Sequence, residues 1–117
     1  MKVIIDLKLE NWNEIINNCR TNRFGANNHK KKEMQQIGWF IRNMPEISKY
    51  PIKINCIWHI KNSNSDLDNK SIKSILDCMQ KLNILENDNI KHINEINYKA
   101  VKDIKDYLEL EVVDASE

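Results

Sequence analysis

Apolar residues recur along this chain with two different periods. Val3, Ile5, Leu7 and Leu9 alternate with Ile4, Asp6 and Lys8, the spacing of a half-buried strand. A polar stretch without a period follows to about Asn28 and reads as irregular. From Lys30 to Met44 the apolar positions Met34, Ile37, Ile41 and Met44 recur at helical spacing, with Trp39 and Phe40 widening the stripe, so a helix is predicted there and Pro45 closes it. In "PIKINCIWHIK" the alternation is strict. Ile52, Ile54, Cys56, Trp58 and Ile60 take one face, with Lys53, Asn55, His59 and Lys61 on the other, which makes this the clearest strand of the sequence. After the turn "KNSNS", the positions Ile72, Ile75, Leu76, Met79 and Leu82 follow i, i+3, i+4, i+7 and i+10, so a second helix is predicted over 69–82. A short strand of imperfect alternation near 90–98 and a last one in "DYLELEVV", with Leu108, Leu110 and Val112 inward, complete the order β, α, β, α, β, β. That order predicts an α/β (α+β) fold: a single domain spanning 1–117, with helices packed on a mixed β-sheet.

A length of 117 residues suits one core and leaves no room for a second domain. With 41% hydrophobic and 30% charged residues the composition is that of an ordinary globular protein, and no apolar run approaches the ~20 residues of a membrane span. "MKVIIDLKLE" lacks the long apolar region and small-residue cleavage site of a signal peptide, so the chain is expected in the cytoplasm and off the membrane. Cys19, Cys56 and Cys78 are odd in number and form no CxxC pair, which points to reduced packing residues. Charge is more telling. "RTNRFGANNHKKK" carries Arg20, Arg23, Lys30, Lys31 and Lys32 without an acid, giving this segment +5 and the rest of the chain −4 within a total of +1. Such a segment offers a polyanion a footprint, or is a solvated loop and helix start. His29 lies within it. His59 and His92 have no partner at metal-ligand spacing, and Trp12, Trp39 and Trp58 are too far apart for a base-stacking platform and are read as core and interface residues.

Candidate chemistry gathers around the second predicted helix, where Asp66 and Asp68 precede the apolar stripe and Asp88 follows it. If the chain is extended at "DLDN", the side chains of Asp66 and Asp68 project to one side, and two carboxylates so close repel each other unless a cation lies between them. Mg²⁺ prefers hard oxygen ligands, takes few carboxylates and leaves its other positions to water and phosphate. The competing explanation is helix capping, which aspartate does well. One aspartate suffices for a cap, and the second, together with Asp88, is left over. No GxxxxGK[ST] loop is present, which argues against an NTPase.

The run "SDLDNKSIKSILDCMQKLNILENDN" resembles the central motif of the RusA family of Holliday junction resolvases, phage and prophage enzymes in which R-D-L-D-N leads into a helix bearing K-x-x-x-D and then a D-D or N-D pair. Asp66, Asp68 and Asn69 match the D-L-D-N part, Lys73 and Asp77 match K-x-x-x-D, and Asp88 matches the second acid of the terminal pair. Upstream, "NEIINNCRTNRFGANNHKKKE" is similar to the family's basic N-terminal region, so the likeness covers about 9–96. Two departures stand out. One extra residue lies between Asn69 and Lys73, and Asn87 stands where many relatives carry aspartate. The resemblance implies a RusA-like, intertwined homodimer that cuts four-way DNA junctions by paired symmetric nicks with Mg²⁺. Asp66, Asp68 and Asp88 would carry the metal and Lys73 would contact the scissile phosphate, whereas its plain structural role is an i, i+4 pair with Asp77. Arg20, Arg23, Lys30, Lys31, Lys32 and Asn69 would hold DNA. Because a helix of 14 residues is about 21 Å long, one metal cannot meet acids at both of its ends. Either 83–87 double back, or two subunits set antiparallel share each site. The rival readings are a branched-DNA-binding protein of this fold that has lost cleavage, and a small phage assembly protein.

Overall fold

In the computed structural model the described residues are 1–9, 11, 13 and 23–115, with the side chains of 23–30 excepted. Their elements are β1 (Lys2–Ile5), α1 (Arg23–Ile41), β2 (Ile52–Ile60), a 3₁₀ turn (Leu67–Asn69), α2 (Lys73–Lys81), β3 (Ile93–Lys102) and β4 (Tyr107–Asp114). The strands form one mixed sheet in the order β1-β4-β2-β3. β4 runs antiparallel to both β1 and β2, whereas β3 runs parallel to β2 through the crossover that contains α2. The described chain is a single compact domain of the α+β class.

The alternation in β2 becomes a difference between the two faces of the sheet. Ile52, Ile54, Cys56, Trp58 and Ile60 are buried, and Val112, Leu110 and Leu108 of β4 stand beside Ile54, Cys56 and Trp58. Against this face lie Ile37 and Ile41 of α1 and Ile75, Leu76 and Met79 of α2. Each fully buried aliphatic side chain adds about 1.5–3 kcal/mol of transfer free energy, which makes this face the main source of stability. The opposite face carries a polar row. Asn97 donates to Asn55 Oδ1 (3.0 Å), and Asn55 donates to Glu111 Oε1 (3.1 Å).

Several boundaries differ from the sequence expectation. β1 stops at Ile5, where the Leu7 amide turns back to the Ile5 carbonyl (2.9 Å), although Leu9 still reaches the core. α1 begins at Arg23, so the stretch read as irregular is helical from there on. Its first two turns lack an apolar stripe, and periodicity is blind to them. α1 ends one turn early at Ile41, before the backbone restriction that Pro45 places on Met44. Trp39, read as a core or interface residue, is 65% exposed and lies beneath the Arg42 guanidinium at 3.9 Å. α2 starts at Lys73 rather than 69, because Lys70 is extended (φ −77°, ψ 149°). It closes on Asn83 in the left-handed region (φ 59°), with Ile84 N–H donating to Met79 O and Asn83 N–H to Gln80 O. β3 occupies 93–102 rather than 90–98, and Ile90 is 87% exposed in the preceding loop. Cys56 and Cys78 are free and buried as expected, with burial pushing the Cys56 thiol up to about 12.

Candidate functional site

β2 delivers the chain to a tight turn at the end of the strand. There Ser65 N–H donates to Asn62 O (3.0 Å) and Lys61 N–H to Asp106 Oδ1 (3.0 Å). Asp66 is extended (φ −87°, ψ 127°), and the chain then winds into the 3₁₀ turn, closed by Lys70 N–H on Leu67 O (3.1 Å). Leu67 packs against the core, and Asn69 Oδ1 accepts the Asn13 amide (3.1 Å), so the turn is pinned from two sides. Asp66 and Asp68, which flank Leu67, are both exposed. The backbone is extended at Asp66 but already in the 3₁₀ turn at Asp68, so the fully extended strand end expected at this point is not what is found. Neither acid caps α2. The N-cap of α2 is Ile72, without a side-chain bond, and Ser71 Oγ accepts the Lys73 amide (3.1 Å). Asp66 makes no capping bond to the 3₁₀ turn either. Among the described residues neither carboxylate meets a cation.

Lys73 opens α2 and makes the i, i+4 contact with Asp77 at 3.9 Å, with its side chain more than half exposed. Asp88 lies elsewhere. The loop after α2 is tied to the start of β2 by Ile47 N–H on Ile84 O (2.8 Å), Glu86 N–H on the Tyr50 hydroxyl (2.9 Å) and Ile52 N–H on His92 O (2.8 Å). Asn87 Oδ1 accepts the amides of Asp88 (2.8 Å) and Asn89 (3.3 Å), a role that an aspartate oxygen would fill equally well. Asp88 itself is exposed. β3 is parallel to β2, so Asp88 precedes the Ile52–Ile93 end while Asp66 and Asp68 follow the Ile60–Lys102 end. Eight steps of strand separate those ends by about 26 Å. Residues 83–87 therefore do not double back, and among the described residues no three of His, Cys, Asp and Glu come together to hold a metal within one chain.

Of the basic residues, Arg20 lies outside the described residues, as do Trp12 and Cys19. Arg23 starts α1, and His29, Lys30, Lys31 and Lys32 sit within it, with the side chains of Lys31 and Lys32 exposed. Packing of α1 on α2 forms a groove rimmed by Lys31, Arg42 and Lys81. Arg42 and Lys81 escaped the sequence reading because each stands apart from the basic run and joins it only through helix packing.

His59 has partners that its spacing did not announce. Its Nδ1 is 2.9 Å from Asp103 Oδ2, and its ring stacks on Tyr107 with centroids 3.9 Å apart. Nε2 is 3.2 Å from Glu109 Oε1 but too poorly aligned to hydrogen-bond, and that nitrogen is left without a partner. The Ile104 amide and then His59 hold the Asp103 carboxyl below its ordinary range. The tie between β2 and the β3–β4 connection thus fades as pH falls through and below that range. No sequence signal marks this cluster, because β-sheet register alone brings His59 beside Tyr107.

Among the described residues no helix is long and apolar enough to cross a membrane. No protein-family model matches the chain, and no curated protein matches its sequence significantly.

Proposed function

We propose that this chain is a Mg²⁺-dependent endodeoxyribonuclease of the RusA type, which binds four-way DNA junctions as a homodimer and resolves them by paired symmetric nicks in the cytoplasm of a bacterium or phage-infected host. The observation that carries the reading is the Asp66–Asp68 pair, held out to solvent on an anchored turn without capping a helix or meeting a cation among the described residues. The fold gains nothing from two like charges placed there. As hard oxygen donors on an open turn they suit Mg²⁺, which commonly binds proteins through one or two carboxylates and completes its shell with water and phosphate. Asp66 and Asp68 would hold the ion, with Asp88 supplied by a second subunit. When bound, the ion supplies Lewis-acid polarisation of the phosphodiester and lowers the pKa of the attacking water. Lys73 would leave its long contact with Asp77 for a phosphate, and the α1 lysines would hold the DNA backbone. The distance of Asp88 favours one alternative, a junction-binding protein of this fold that does not cut.

A synthetic four-way junction separates these readings. Cleavage with Mg²⁺ that stops in EDTA is the expected result. A mobility shift without cutting supports the binder, and neither effect supports an assembly protein. The basic helix makes a second, independent prediction. Replacing Lys30, Lys31 and Lys32 together by Ala should weaken junction binding and flatten its dependence on salt concentration. Consecutive helical residues turn by about 100° each, so no single DNA backbone meets all three, and the logarithmic salt slope should fall by about two units rather than three. An unchanged slope places the DNA elsewhere.

A further inference from the structure

The two edges of the sheet are unlike. β1 presents four residues, whereas β3 presents ten, contains no proline, and has no strand paired along its outer side among the described residues. Long uncovered edges are usually shortened, interrupted or capped, because their free amides and carbonyls pair with another strand. The only irregularity of β3 is the register shift at its first residue. Its inner face is open in part. Ile96, Tyr98 and Ala100 stand beside the buried Ile54, Cys56 and Trp58, yet Ile96 is 43% exposed and Ala100 is exposed. Tyr98 packs against the core and against Trp58, but Ile96 and Ala100 on either side of it are not covered.

We propose that β3 is the surface through which two copies of this chain associate, the strands pairing antiparallel about a two-fold axis at Asn97 to form one continuous eight-stranded sheet. The strand itself argues for a second copy as occupant, because its centre, "EINYK", is self-complementary when reversed. With Asn97 opposite the partner's Asn97, Glu95 stands opposite the partner's Lys99 and Ile96 opposite the partner's Tyr98. The two-fold axis repeats each pairing, so both acids meet bases and the open apolar face continues across the seam. Parallel pairing in register would set Glu95 beside glutamate and Lys99 beside lysine. Nucleic acid is a poorer occupant, since carbonyls and Glu95 line the edge beside the lysines. The inference rests on the proposed function only for its dimer, to which it gives a surface.

The test reads association and not cleavage: a dimer built on another surface overturns this proposal alone, and a β3 dimer that does not cut DNA leaves it standing. Sedimentation of the full chain should give twice its 13.9 kDa mass. Glu95→Lys and Lys99→Glu should each weaken the dimer by about tenfold or more, through two like-charge contacts. Mixing the two variants should restore association, because both charge pairs of the heterodimer are then opposite. Asn97→Cys should form a disulfide-linked dimer under mild oxidation, and Lys102→Cys, away from the axis, should not. The variants lie at exposed positions, and the mixture controls for any loss of fold. A wild-type monomer overturns the proposal. So does a dimer that neither charge variant weakens and Asn97→Cys does not link, or a monomer in which Lys99→Glu lowers only DNA affinity.

Discussion

Asp68→Asn should remove Mg²⁺-dependent junction cleavage by at least about a hundredfold while leaving junction affinity within about tenfold. The substitution keeps the size of the side chain and one carbonyl oxygen, and removes only the negative charge. Nothing in the fold depends on that charge. Asp68 is exposed in the 3₁₀ turn, caps no helix and meets no cation among the described residues, while the turn is held by Leu67 and by Asn69 on the Asn13 amide. Far-ultraviolet circular dichroism and the thermal midpoint should therefore match those of the unaltered protein. Affinity should hold, because loss of a carboxylate near DNA relieves repulsion and leaves the basic contacts in place. Cleavage, gel-shift affinity and dichroism measured on one preparation decide the matter. If the variant loses affinity and helical signal together with cleavage, Asp68 is a structural residue. If it cuts as well as the unaltered protein, the metal does not use this turn.

How much of this was legible in the sequence follows from what each element touches. β2 could be read because it is flanked on both sides within the sheet and buried on one face only, so every second residue had to be apolar. β3 could be read only loosely, as a short strand near 90–98, because most of its residues are exposed and burial imposes no period on its composition. α2 showed its stripe through Ile75, Leu76 and Met79, but its start was hidden, since an extended Lys70 leaves no mark in composition. Asp66 and Asp68 could be picked out, though that neither of them caps α2 shows only once Ile72 occupies its N-cap. The separation of Asp88 was only half visible. Helix length showed that the acids lie apart, but the parallel direction of β3 and the pinning of the 84–92 loop to 47–52 are what rule out a return within one chain. The His59 cluster was not legible at all, because its members come from the ends of β2 and β4 and the turn between β3 and β4.

That separation makes the strongest demand on the proposed function: a working site must take Asp88 from another subunit. Antiparallel pairing along β3 has the right sense for this. It lays the start of one β3 beside the end of the other, which carries each Asp88 toward the end of the partner's sheet where the Asp66–Asp68 turn lies. Chains bearing Asp68→Asn and chains bearing Asp88→Asn should each be inactive as homodimers. Mixed and allowed to exchange, they should regain single-strand nicking. In the heterodimer one site collects both substitutions and the other collects neither, so one intact site remains per molecule. Random exchange makes half the dimers mixed, and the mixture should reach about a quarter of the nicking rate of the unaltered protein, with paired cuts largely absent. Nicked and fully resolved junctions separate on denaturing and native gels, so the two outcomes can be counted. A mixture that stays inactive while labelled subunits demonstrably exchange means that each chain must complete its own site. With Asp88 at the far end of the sheet, that result would leave junction binding without cleavage as the function of this protein.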